Sequence, residues 1–433
     1  MNVVVQKKYI YLFFEKNIVI VMDFEEIWEK ESPIFKHEER LSIDYVPAHL
    51  PHRKEHLELL ARMFTPIIRS PGSTSQKVIL AGPVGTGKTA VAKRFGIELE
   101  KYSRRRDLGM RYVHINCHKD RTLFLVMKRT AEMLKLPIPP RGFSSQELMG
   151  IILNMLEDKN QYLILALDEV DYLIRTSGSD TVYDLTRLSD EEVDGKQRIS
   201  LIFIMRDLTA LHLLEESARS SLMHNIIRFH PYTSQQIYDI LWERIDVEEA
   251  IYPSAISDDV LATISELTGV DKGGKGDARL ALETLWRAGK IAEKEGRSYI
   301  SIEDVRRAYS SSLVVSYIDV SSLKLHEAIL LLATTKLLKR MKTARYVRLG
   351  QVEEVYNVLC EDYGIEPRRH TKLWEYVQNL KNMGILVAKI SGKGFRGKST
   401  LLEIPAIPLE YLERELEKYI AISLKQGRFN ETI

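Results

Sequence analysis

Cysteine is scarce in this chain: Cys117 and Cys360 are the only two among 433 residues, far apart and with no ligand spacing between them. That excludes a disulfide scaffold and a cysteine-built metal centre, and it fits a reducing cytoplasm. An excess of one charge is also missing. Lys and Arg total 62 against 60 Asp and Glu, a net charge of +2, so the whole chain declares no polyionic partner. No apolar run is long enough to cross a bilayer. The N-terminal stretches Tyr9–Phe14 and Ile18–Val21 are interrupted by Glu15 and Lys16, and the small-residue cleavage site of a signal peptide is absent. This segment reads either as an extra strand or as sequence ahead of a start at Met22, and the second is favoured. Internal repeats and low-complexity tracts are lacking too. What remains is an ordinary globular composition, 45% hydrophobic and 28% charged, in a chain long enough for two or three domains.

The strongest local signal is Gly82-Pro83-Val84-Gly85-Thr86-Gly87-Lys88-Thr89, which follows the apolar run Val78–Ala81 and opens a helical pattern from Ala90. Strand, glycine-rich loop and helix in that order make a phosphate-binding loop. The glycines let backbone N–H groups turn inward towards phosphate oxygens, and the helix N-terminus adds partial positive charge. Lys88 is placed to reach the β- and γ-phosphates of ATP or ADP, and the Thr89 hydroxyl to ligate Mg²⁺. Gly82, Val84, Gly85, Thr86, Gly87, Lys88, Thr89 and Ala90 therefore form the expected nucleotide cradle. About 80 residues on, Leu163-Ile164-Leu165-Ala166-Leu167 ends in Asp168-Glu169. Strand alternation points these acids differently, so Asp168 is the candidate for holding the metal and Glu169 for orienting or deprotonating water.

The surrounding pattern is α/β. Strand-like runs at Val78–Ala81, Val113–Asn116, Tyr162–Leu167 and Leu201–Met205 alternate with helices, which predicts a parallel sheet with helices on both faces. Ser177 to Ile199 reads as a helix with exposed loops. From about 234 the pattern becomes all-helical. The organisation expected is an N-terminal extension (1–31), a nucleotide-binding core (32–233), a helical lid (234–315), a basic C-terminal module (320–408) and a C-terminal helix or tail (409–433).

Asp168-Glu169-Val170-Asp171 resembles the AAA+ ATPases. Gly276-Asp277-Ala278-Arg279, opening a lid helix, resembles their sensor-2 motif, which implies that Arg279 reaches the γ-phosphate. Ile43-Asp44-Tyr45-Val46-Pro47, Pro51-His52-Arg53-Lys54-Glu55 and Arg228-Phe229-His230-Pro231-Tyr232-Thr233 are similar to segments of archaeal origin-recognition initiators of the ORC/Cdc type. The resemblance covers about residues 32–407. It implies that Tyr45, Val46 and Tyr232 lie near the nucleotide. Two departures stand out. Arg206 occupies the end of the sensor-1 strand, where family members usually carry asparagine, and arginine has no acceptor with which to position a water. Ser217 replaces an arginine often seen in the trans-acting finger, leaving Arg219 as the remaining candidate. Both departures imply slow hydrolysis.

Residues 320–410 carry 15 Lys and Arg against nine Asp and Glu, a net charge of +6. Such a footprint fits nucleic acid. Three helical patterns, at Ile329–Leu338, Gln351–Leu359 and 367–383, precede a strand pair around a basic glycine-rich turn, which looks like a winged helix. In the third helix Leu373, Val377 and Leu380 face inward, and Arg369, Lys372, Tyr376 and Asn379 are the candidates for the major groove. Lys393, Arg396 and Lys398 in the turn are the candidates for the DNA backbone or minor groove. The resemblance adds a further DNA contact between residues 137 and 153, with Arg141. The expectation is an ATP- and Mg²⁺-dependent replication initiator on duplex origin DNA, cytoplasmic and nucleoid-associated, with no membrane partner. Contacts to paralogous initiators and a replicative helicase are implied by the resemblance alone. The alternatives are a DNA-binding regulator with a permanent structural nucleotide and a signalling ATPase whose winged helix binds protein.

Overall fold

The structure, a computed structural model, describes residues 31–136, 142–312 except 194, 214–218, 220–221 and 224, residues 323–341, 344–390 except 384, and 399–425, together with Glu29 and three strands before it. Those strands, β1 (Val3–Gln6), β2 (Tyr9–Phe14) and β3 (Asn17–Met22), pair antiparallel in a sheet of their own.

The central sheet follows from four apolar runs. Strands β4 (Lys77–Ala81), β5 (Met110–Asn116) and β6 (Tyr162–Asp168) are joined by β9 (Ile199–Met205) and by a short fifth strand, β10 (Ile226–Arg228). All neighbours are parallel, in the order β10-β4-β9-β6-β5. Every residue of β6 and β9 is buried, as expected for strands covered on both faces. Alternate residues serve different layers. Ile79, Leu165 and Phe203 pack beneath α3 (Leu123–Met133) and α4 (Ser145–Asp158), whereas Leu80, Ile164 and Ile202 pack beneath α1 (Lys54–Arg69) and α2 (Lys88–Arg106). The polar segment after β6 forms α5 (Val170–Ser177) and α6 (Ser179–Asp190), then a tight hairpin of β7 (Glu192–Val193) and β8 (Lys196–Gln197).

The lid comprises α7 (Ser234–Asp246), α8 (Asp258–Thr268), α9 (Ala278–Lys294) and α10 (Ile302–Ser312). Capping chemistry sets two of its helix starts: a Thr233/Gln236 capping box opens α7, and the Asp277 carboxylate accepts the N–H groups of Arg279 and Leu280 at α9. Ile34, Phe35 and Leu41, ahead of the sheet in sequence, pack in the lid's core.

The C-terminal module is α11 (Leu325–Arg340), β11 (Val347–Arg348), α12 (Leu349–Asp362), α13 (His370–Asn382), β12 (Val387–Ile390), β13 (Thr400–Glu403) and α14 (Leu409–Lys425). Its sheet, β11-β13-β12, closes a separate apolar core. Charged groups join this module to the lid. Glu266 on α8 receives Arg345 and, at 3.0 Å, Lys389 of β12. Arg345 also donates to Glu403 of β13 at 2.9 Å. Arg306 of α10 donates to the Ile404 carbonyl at 2.6 Å, and Glu303 accepts from the Leu409 N–H at 2.9 Å. Among the described residues no helix is long and apolar enough to cross a membrane.

Candidate nucleotide site and DNA-facing module

The C-terminal edge of β4 delivers the glycine loop to the N-terminus of α2. Gly85 (φ +74°) and Gly87 (φ +88°) both take left-handed backbone, which glycine adopts without steric cost. Space imposes the same choice. A Cβ on Gly85 would run into the Asp277 carboxylate of the lid, and one on Gly87 would lie 2.7 Å from the Tyr232 hydroxyl. The loop is thus shaped by its lid contacts as well as for an anion. The Ala278 N–H donates to the Gly85 carbonyl at 3.1 Å, a further lid-to-loop bond.

Lys88 is buried, and its ammonium donates to the carbonyls of Gly82 (2.5 Å) and Pro83 (2.7 Å). Burial lowers its pKa to about 8, although Asp168 and Asp171 pull it the other way. Such a cation, held by neutral carbonyls in a partly dehydrated loop, gains most from an incoming anion.

Asp168 ends β6 and is buried. Its Oδ2 accepts from the Thr89 hydroxyl at 2.7 Å and from His114 Nε2 at 3.2 Å, and its Oδ1 accepts the Glu169 N–H at 2.9 Å. Burial alone would raise this carboxyl, but the bonds from His114 and Thr89 outweigh it and hold it below the usual carboxylate range. His114 is itself oriented by the Tyr112 hydroxyl, 3.1 Å from its Nδ1. Glu169 separates from Asp168 through a left-handed backbone (φ +56°), not through the strand alternation inferred from sequence, because β6 stops one residue earlier. A non-glycine residue held in that region is strained, a feature that clusters at functional sites.

Glu169 is flanked on both sides. Asn116 Nδ2 lies 3.5 Å from its Oε2, and Arg206 Nη2 lies 3.4 Å from its Oε1. Arg206 sits just after β9. Arg279, at the first turn of α9, and Glu169 both line a cavity of about 760 Å³ with the loop residues Val84 to Ala90, Asp168, Arg206 and Tyr232. Tyr45, Val46, Pro47, Leu50, Ile240 and Leu282 also line it and supply its apolar walls. The Tyr45 hydroxyl donates to Glu248 Oε2 at 2.5 Å, and the Arg244 guanidinium lies 5.1 Å from its ring centre. Arg219 does not line the cavity.

Two residues of this site were given no role by the sequence reading. Arg53 is buried and donates to the carbonyls of Thr86 (2.9 Å) and His230 (3.0 Å), with its guanidinium 3.8 Å from the Tyr232 ring centre. It ties the segment before α1 to the phosphate loop and to the strand exit at β10. His114 is the other. Arg53 could be recognised only once three distant segments meet, and His114 is one of several polar residues along β5 with nothing in the sequence to single it out.

On the C-terminal module, Arg369, Lys372 and Asn379 are placed on or beside α13, with Arg369 and Lys372 exposed. Lys372 pairs with Glu375 at 2.5 Å, and Asn379 donates to Glu327 at 2.9 Å. Tyr376 is a correction. It is 3% exposed and stacks on His326 with ring centres 6.2 Å apart, because it continues the inward stripe of Leu373, Val377 and Leu380. The outward side carries Trp374 and Glu375 instead. Arg141, Lys393, Arg396 and Lys398 lie outside the described residues; the described part of the 137–153 stretch enters α4 through a Ser144/Glu147 capping box.

Three family models match the chain in series: an AAA domain over residues 70–214, the Cdc6 AAA+ ATPase-type lid domain over 238–310, and the CDC6 C-terminal winged helix domain over 319–413. The chain is 40% identical to ORC1-type DNA replication protein 2 of Sulfurisphaera tokodaii, with 92% of this chain and 96% of that protein covered. The chain belongs to the ORC1/Cdc6 family of archaeal replication proteins. Another family member, ORC1-type DNA replication protein 2 of Saccharolobus solfataricus, is 41% identical over 89% of this chain and 93% of its own length. Among solved ORC1/Cdc6 structures, Cdc6p from Pyrobaculum aerophilum superposes with a TM-score of 0.78 at 33% identity, covering 90% of this chain and all of that one. The Aeropyrum pernix ORC1 protein in complex with DNA gives a TM-score of 0.59 at 29% identity, over 92% and 99% of the two chains. The ORC1/Cdc6 fold of a parallel sheet, helical lid and winged helix is therefore present, and its AAA domain carries nucleotide binding with it.

Proposed function

We propose that this ORC1/Cdc6 protein is an ATP-dependent replication initiator that binds duplex DNA at origin elements through its winged helix, with nucleotide setting the lid against the core. The observation that carries this reading is the meeting of Lys88, Thr89, Asp168 and the lid's Arg279 around one cavity, on a lid bonded to a basic winged helix. Thr89 and Asp168 offer hard oxygen donors side by side, a set suited to Mg²⁺, which would neutralise phosphate charge there. Lys88 and the loop N–H groups bind and orient the phosphates of ATP or ADP. Arg279 senses the γ-phosphate from the lid. Glu169 accepts the proton of the water whose oxygen bonds to the γ-phosphorus as the bond from that phosphorus to the β–γ bridging oxygen breaks. Arg369, Lys372 and Asn379 face the major groove, and Lys393, Arg396 and Lys398 serve the backbone. Paralogous initiators and a replicative helicase are the expected protein partners, and Arg219 is the candidate finger towards a neighbouring subunit. A regulator with a long-lived structural nucleotide is the second reading, favoured by the engagement of Glu169 with Arg206.

Footprinting on DNA from the source genome tests the proposal. Protection is expected at discrete repeated elements and to differ between ATP and ADP. Arg369→Ala/Lys372→Ala should weaken specific binding by about 1–3 kcal/mol for each side chain that reads a base edge. Uniform, salt-sensitive binding unchanged by the double substitution would remove the initiator reading.

A further inference from the structure

Arg206 holds the molecule's least expected position, on the wall of the cavity beside Glu169. Its backbone N–H donates to Asp171 Oδ1 at 3.2 Å, which anchors the residue at the end of β9. Its Nη2 lies 3.2 Å from the Tyr172 hydroxyl and 3.4 Å from Glu169 Oε1, and its Nε lies 3.9 Å from Asp171 Oδ2. The guanidinium carbon rests 5.2 Å from the centre of the Tyr172 ring. Backbone, ring and two carboxylates thus direct the cation at Glu169. The second Glu169 oxygen faces Asn116 Nδ2 at 3.5 Å. Each Glu169 oxygen thus has one of its two lone-pair positions directed at a protein donor, Arg206 on one side and Asn116 on the other, which orients the carboxylate before any water arrives.

We propose that Arg206 is a built-in brake on hydrolysis: a positioning residue that parks Glu169 away from the attacking water and prolongs the ATP-bound state. This rests on the reading of Glu169 as the residue that takes the water's proton. It gives the opposite sign from the alternative in which Arg206 contacts the γ-phosphate and assists turnover.

Single-turnover hydrolysis of radiolabelled ATP by the full chain, with Mg²⁺, decides between them. Arg206→Ala and Arg206→Asn should each raise the rate about three- to tenfold, the range for removing a partly exposed charge-assisted hydrogen bond. Arg206→Lys should stay near the wild-type rate, since it keeps the cation. In a Glu169→Gln background the gain should vanish. Affinity for a fluorescent ATP analogue, measured separately, should stay within about twofold of wild type, because the phosphate-binding groups are untouched. A fall in rate, an unchanged rate, or a tenfold loss of affinity in Arg206→Ala would each overturn the brake. If Glu169→Gln alone leaves the wild-type rate unchanged, the role given to Glu169 fails as well. If Glu169→Gln abolishes turnover while Arg206→Ala slows it, only the brake fails.

Discussion

Lys88→Ala is expected to leave the chain folded and unable to retain nucleotide. The lysine is buried at the mouth of α2 with two carbonyl partners and no carboxylate within ion-pairing distance among the described residues. Removing it strips the one cation embedded in the glycine loop, while the left-handed turns at Gly85 and Gly87 and the Arg53 bond to Thr86 keep the loop's shape. Truncating one side of a desolvated charge pair costs about 2–5 kcal/mol, which is roughly thirty- to several-thousand-fold in affinity. Equilibrium titration with a fluorescent nucleotide, alongside circular dichroism, measures both halves of the claim. Unchanged affinity in a folded variant would mean that the loop is not the phosphate site.

Arg345→Ala is expected to be the most damaging substitution outside the nucleotide site. Arg345 and Glu403 are both nearly inaccessible, and Glu403 Oε2 has no hydrogen-bond partner even in the intact pair. Burial raises the Glu403 carboxyl above its ordinary 4.5, with Arg345 opposing that rise. Deleting the arginine leaves a buried carboxylate without compensation, at a cost of about 3–5 kcal/mol. For a module of this size that corresponds to a fall in Tm of more than about 10 °C. The pH dependence has a defined sign. A carboxyl whose folded pKa lies above its unfolded one destabilises the fold as pH rises from 4.5 through the folded value. The deficit of Arg345→Ala should therefore shrink as pH is lowered towards 4.5. Arg345→Met/Glu403→Leu should recover much of the stability, since Glu266 keeps Lys389. Thermal melts of the three chains at two pH values provide the test; a melt unchanged in Arg345→Ala would show that this pair carries no stability.

The nucleotide cradle was legible because its chemistry is contiguous. Eight consecutive residues running from the end of a strand into a helix state a phosphate loop, and Asp168-Glu169 follows the apolar run Leu163–Leu167. The four long strands could be read for the same reason. β10 could not, because three residues carry no period, and it becomes a strand only by pairing with β4. Tyr376 was misplaced by helical phase: its amphipathic side chain suits either face, and His326 from another helix decides the matter. Arg53, Arg345 and Glu266 were invisible for a different reason. Their partners lie tens to hundreds of positions away, and a lone charged residue in sequence looks like any solvated one.

The last turn of α8 is touched from two directions. The Gly276 N–H, one residue before the Asp277 cap that abuts the glycine loop, donates to the Thr268 carbonyl at 2.7 Å, and two residues earlier Glu266 grips Arg345 and Lys389 of the winged helix. A single helical turn therefore serves as a shared bearing for the glycine loop's lid contact and the winged helix. Thermodynamic reciprocity then fixes the bargain between them: whatever factor nucleotide imposes on the grip for DNA, DNA must return on the grip for nucleotide. If the winged helix takes DNA, a protein coupled in this way would hold its nucleotide with one affinity on the chromosome and another in solution.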